Sequence, residues 1–154
     1  MALGIAAVSG LWFAPAVSAA AVTGRALALR GLQRFELVVE DVTENATRCG
    51  ITRQRIDASL RSIVGQSRIA LVDANPDATI YLNVSVLSDC TARVTLEIFA
   101  VVTIGKTGQR TIATIWNDGI LGRGADPVAQ VDSIVDNLAR GFVNDWDSSN
   151  PAPN

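Results

Sequence analysis

Histidine is missing from this chain altogether, and methionine occurs once, at position 1. Without an imidazole the usual base of nucleophilic triads is gone. So are the commonest metal ligand and the one side chain that ordinarily titrates near neutral pH. Lysine is almost missing: of 13 basic residues only Lys106 is not arginine. A GC-rich coding bias accounts for that more simply than a function does. Cysteine occurs twice and never as Cys-x-x-Cys, which argues against dithiol redox catalysis and a cysteine zinc site. Charge of one sign is also scarce. The formal net charge is −2, so the basic face of a nucleic-acid binder is not expected.

What is present fits one domain. A chain of 154 residues with 49% apolar composition can bury a sizeable core. Charge is mildly uneven: Arg25 to Arg68 carries eight arginines against five acids, and Ile69 onward carries five bases against ten acids. Two differently solvated faces explain this, with a docking patch for an acidic partner as the alternative.

The first 22 residues hold no charge. The apolar run Leu3 to Phe13 leads to Pro15 and then to small residues, and Val17-Ser18-Ala19 resembles a signal-peptidase site. A removable signal over 1–20, cleaved after Ala19 or Ala20, is expected. No basic flank precedes the run, which points to a start further upstream. An uncleaved anchor is the alternative. Export would place Cys49 and Cys90 in an oxidising compartment, where an even pair reads as a disulfide; two buried free thiols are the alternative.

Residues 21–34 read as a linker, 35–147 as the folded domain and 148–154 as a disordered tail. Phe35, Leu37 and Val39 alternate with Glu36, Val38 and Glu40, the period of a strand with one buried face. A polar connection, Thr43 to Ile51, leads to a helix capped by Thr52. Ile51 and Ile56 are spaced for a hydrophobic staple. Ile56, Leu60, Ile63 and Val64 form its apolar stripe. Ile69 to Val72 is a short strand. Ile80 to Val86 and Val94 to Ile104 alternate cleanly, and Thr111 to Asn117 is the last strand. Asp118 to Ala125 reads as irregular. Asp126 and Pro127 then open a second helix, whose stripe runs Val128, Val131, Val135, Leu138, Phe142. The fold expected is α+β: a two-layer sandwich of a mostly antiparallel four- to five-stranded sheet with two amphipathic helices on one face.

Candidate sites are few. Asp73, Asn75 and Asp77 match the start of a calcium loop, but Ala78 and Val84 stand where Gly and Glu are required; an Asn-Pro-Asp turn is the plainer reading. Glu40 and Asp41 are adjacent, hence on opposite faces of a strand. Glu97 reads as a sheet-surface charge. Gly119, Gly122 and Gly124 follow a strand in the wrong order for a dinucleotide fingerprint, and backbone freedom in a turn is their expected role. Tyr81, Phe99 and Val101 fall on the polar side of neighbouring strands. With Trp116, and with Arg123 as a weaker contact, they outline a partner-binding face. Ordinary cross-strand pairing is the alternative.

The run Glu40-Asp41, Arg48-Cys49-Gly50-Ile51-Thr52, Asn75-Pro76-Asp77-Ala78, Tyr81-Leu82-Asn83-Val84, Cys90 and Thr114-Ile115-Trp116 resembles a group of small exported bacterial proteins of unknown function. The element order is also similar to envelope accessory domains such as the amino-terminal domain of the Tol-system propeller protein. The resemblance implies a periplasmic or secreted location and an envelope protein as partner. The reading is therefore a non-enzymatic accessory or binding protein, with no cofactor, no nucleic acid and no stable membrane insertion after cleavage. A carboxylate- or Ser-dependent hydrolase and a secreted structural or stress protein are the alternatives.

Overall fold

A computed structural model describes residues 23–153. The expected signal segment, 1–20, lies outside them. In chain order the elements are α1 (Gly24–Leu27), β1 (Arg34–Val39), α2 (Glu44–Arg48), α3 (Arg53–Gly65), β2 (Ala70–Leu71), β3 (Ala78–Val86), β4 (Ala92–Ile104), β5 (Gln109–Gly122) and α4 (Pro127–Ser149). The five strands form one sheet in the order β2-β1-β3-β4-β5.

The class is α+β, but the sheet is mixed rather than mostly antiparallel. β1 pairs in parallel with both β2 and β3, while β3-β4 and β4-β5 are antiparallel hairpins. The parallel half arises because β1 is followed by a helical crossover, which returns the chain to the start of the sheet.

Period-two patterning decides which face is buried. Phe35, Leu37 and Val39, then Ile80, Leu82 and Val84, then Val94, Leu96 and Ile98 are all under a tenth exposed. They share one core with Ile56, Leu60 and Val64 of α3 and with Val131, Val135, Leu138 and Phe142 of α4. The alternate residues, including Glu36, Val38, Tyr81, Asn83, Glu97 and Phe99, are only half-buried. Helix starts are where the caps put them. Thr52 accepts from the Arg55 amide, and Asp126 accepts from the amides of Val128 and Ala129 at 3.0 Å. Ile51 and Ile56 are both buried, as a staple requires.

Aromatic contacts run across the sheet. The Phe142 ring lies 5.7 Å from Phe35 of β1 and 5.5 Å from Trp116 of β5, both edge-on.

Residues 21–34 and 148–154, expected as linker and tail, are held to the fold where the structure describes them. Thr23 caps α1, Leu29 is fully buried, and α4 runs on through Ser149. The Asn150 side chain donates to the Leu29 carbonyl and accepts from the Gly31 amide at 2.7 Å. Trp146 Nε1 donates to the Leu32 carbonyl at 2.6 Å. These long-range polar contacts leave no periodic trace in the sequence. The connection Thr43 to Ile51, expected as a polar stretch without a helix, holds α2: Thr43 caps it and its Ala46 is buried.

Glycines explain another difference. β5 continues to Gly122, through much of the stretch read as irregular. A Cβ on Gly122 would stand 2.8 Å from Ile134 Cδ1 and from Gln130 Nε2. A larger residue there would have to displace the ends of the Gln130 and Ile134 side chains of α4, and no positive φ calls for glycine.

Phe142→Ala removes the contact that joins β1 to β5. A loss of about 3–5 kcal/mol in unfolding free energy is expected, whereas Ile112→Ala, at an exposed position, stays within about 0.5 kcal/mol. Urea titration of both variants checks the contrast.

Candidate functional site

Cys49 and Cys90 form a disulfide with 5.8 Å between their Cα atoms. Parallel pairing makes this feasible. β1 and β3 run in the same direction, so the chain leaving β1 and the turn leaving β3 emerge at one end of the sheet. α2 sits there, with Asn45 Nδ2 donating to the Val86 carbonyl at 3.3 Å.

The half-exposed sheet face holds the aromatic residues singled out by sequence. Tyr81 and Phe99 are diagonal neighbours across the β3-β4 hairpin, with ring centroids 5.6 Å apart. Val101 extends the patch and is 53% exposed. Its cross-strand neighbour Ile112 is 71% exposed and belongs to the same patch. Ile112 was legible as an apolar residue on the last strand, but its facing could not be read without the pairing register.

Trp116 does not belong to this face. It is 2% exposed and lies in the core against Phe142. Its Nε1 donates to Asp145 at 2.8 Å, and the Arg25 guanidinium sits 4.8 Å over its ring. The cause is a β-bulge: Ile98 pairs with Trp116 but Phe99 pairs with Thr114, leaving Ile115 as the extra residue. Such an insertion reverses the facing of the residues beyond it. Ile112 therefore points to the open side and Trp116 to the core.

Arg123 is also elsewhere. It follows Gly122, the partner of Ala92, and pairs with Asp89 in the β3-β4 turn at 3.4 Å. Phe99 lies seven residues along β4 from Ala92, a span of about 23 Å.

Carboxylates surround the aromatic pair. Glu36 and Glu40 on the β1 side and Glu97 on β4 share the open face with Tyr81 and Phe99. Among the described residues none of the three forms an ion pair; every ion pair there uses an aspartate. Asn83 Nδ2 donates to the Glu40 carboxylate, and the neighbouring Tyr81 hydroxyl together with that amide keeps the carboxyl below the ordinary glutamate range. The proximity of Glu40 in turn pushes the Tyr81 phenol up, aided by partial desolvation and by the charges of Glu40 and Glu97.

The remaining candidates resolve into structural roles. Asp77 accepts from the backbone amides of Gln33 and Arg34, both at 2.9 Å, and so fixes the start of β1 beside β3. Those two bonds hold its carboxyl below the usual aspartate range. Asp41 pairs with Arg53 at 3.2 Å. Asp126 is a helix cap, and Gly124 packs beneath Gln130 of α4.

No protein-family model and no curated protein matches the chain. No helix among the described residues is long and apolar enough to cross a membrane.

Two predictions follow from this geometry. Replacing both cysteines by alanine opens a loop whose ends are 41 residues apart; on the chain-entropy model this costs about 4 kcal/mol, measurable as a lower urea midpoint with the slope unchanged or increased, because the unfolded chain is no longer cross-linked. The second uses Tyr81, the only tyrosine in the chain. Its ultraviolet titration should fall above the ordinary phenol value of about 10 and return toward it in Glu40→Gln. The sign follows from linkage. The favourable interaction of Tyr81 with Glu40 contributes fully below the ordinary phenol value and is lost as pH rises through the raised one; on the acid side it is lost as pH falls through the lowered Glu40 value.

Proposed function

We propose that this chain is an exported, non-enzymatic accessory or binding protein of the bacterial envelope, and that it docks a partner polypeptide on the open face of its sheet. The observation that carries the reading is the apolar run Tyr81, Phe99, Val101 and Ile112 on the side of the sheet away from the α3-α4 core. Half-exposed aromatics and exposed aliphatics together on one surface mark interaction sites more often than isolated ones do.

On this reading the architecture is a two-layer sandwich with its amphipathic helices on one face, which leaves the opposite face for recognition. Unpaired Glu36, Glu40 and Glu97 around the patch favour a partner segment carrying arginine or lysine beside apolar side chains. A periplasmic or secreted location is supported by the disulfide and by the charge-free first 22 residues with their signal-like ending. The absence of histidine from the sequence supports a role outside acid-base catalysis.

The test is site-specific photo-crosslinking in intact cells. A crosslinking residue in place of Val101 should trap one stoichiometric envelope partner, and Phe99→Ser in the same chain should abolish that adduct. A crosslinker at Arg61, on the outer side of α3, should trap nothing. Equal adducts from both positions, or none from Val101, would refute the reading.

A further inference from the structure

The two edges of the sheet are unlike. β2, at one edge, has two residues; β5, at the other, has 14. Natural sheets protect an edge by keeping it short or by placing lysine, proline or charge on it. β5 is long and carries none of these from Thr111 to Thr114, an uncharged run rich in β-branched side chains and bounded by Arg110 and by the bulge at Ile115. The bulge near Ile115 divides the strand. On one side α1 packs close, with Arg25 reaching Trp116 and Asp118. On the other side Gln109 to Thr114 is largely exposed, and nothing among the described residues pairs with its outer edge. Because β3 begins opposite Ala100, β4 and β5 run on beyond it as a two-stranded ribbon.

We propose that this free half of β5 pairs antiparallel with the same segment of a second copy, joining two sheets into one of ten strands about a two-fold axis. The segment is complementary to itself. In the register centred on Ile112, each Ile112 stands opposite Ile112 of the second copy, Thr111 opposite Ala113, and Arg110 opposite Thr114. No like charges meet, and directly opposed β-branched pairs favour the contact. Ile112 and Val101 are cross-strand neighbours on the open face. Four aliphatic side chains therefore form an unbroken row through the axis, and the two open faces become one surface. A symmetric, isologous contact of this kind closes on itself and stops at a dimer. An edge contact alone is small, so the dimer is weak and concentration-dependent. The inference stands on the edge and not on what docks on the open face.

Sedimentation equilibrium on the purified oxidised protein, from micromolar to millimolar concentration, tests it. The mass should rise toward twice the monomer. Ile112→Lys, at an exposed position and so compatible with folding, should hold it at the monomer with an unchanged melting curve. Thr114→Glu, opposite Arg110 of the second copy, should tighten the dimer about two- to thirtyfold through its two symmetric pairs, and Thr114→Lys should weaken it. A monomer at every concentration overturns the proposal. So do shifts of the same sign in both Thr114 variants, or a dimer that ignores all three variants and is lost in Phe99→Ser, which would put the contact on the open face.

Discussion

The fold depends on one helix lying across one face of the sheet. Phe142 of α4 touches Phe35 of β1 and Trp116 of β5, strands separated in the sheet by β3 and β4. Edge-on ring contacts add to the burial of large apolar surfaces. Burying one side of each strand forces the polar, alternate residues to the other side. The face buried against Phe142 and the half-exposed face are thus two consequences of one patterning rule.

The polar contacts secure the edges of this arrangement. Arg25 bridges α1 to Asp118 and Asp145 and covers the indole of Trp116. Asn150 and Trp146 tie the end of α4 to the segment before β1. The disulfide holds the opposite end, where β1 and β3 both terminate. Surface ion pairs of this sort contribute little individually; the apolar clamp and the disulfide each contribute more. The open face is free of that duty, and among the described residues its Glu36, Glu40 and Glu97 form no ion pair.

Much of this was legible in the sequence. Alternation over Phe35 to Val39, Ile80 to Val86 and Val94 to Ile104 located the three central strands and their buried sides. Capping residues located α3 and α4. The Tyr81-Phe99 neighbourhood followed from the same alternation, and the cysteine pair from compartment logic. What could not be read depends on register or on contacts distant in sequence. Ile112, Thr114 and Trp116 share parity, so an unbroken strand would put all three on one face; only the bulge separates them. Parallel pairing of β1 and β3 follows from a crossover that hydropathy does not record. The arginine-rich segment around Leu29 looks like a linker until α4 is placed beneath it.

The central claim is that α4 closes one sheet face through Phe35, Trp116 and Phe142 while Tyr81 and Phe99 stay open on the other. Hydroxyl-radical footprinting read by mass spectrometry, with each rate normalised to the unfolded chain, measures this directly. The account predicts strong protection of Phe35, Trp116 and Phe142 and weak protection of Tyr81 and Phe99. Trp116 reacting as readily as Phe99, or Tyr81 as protected as Phe142, would contradict it.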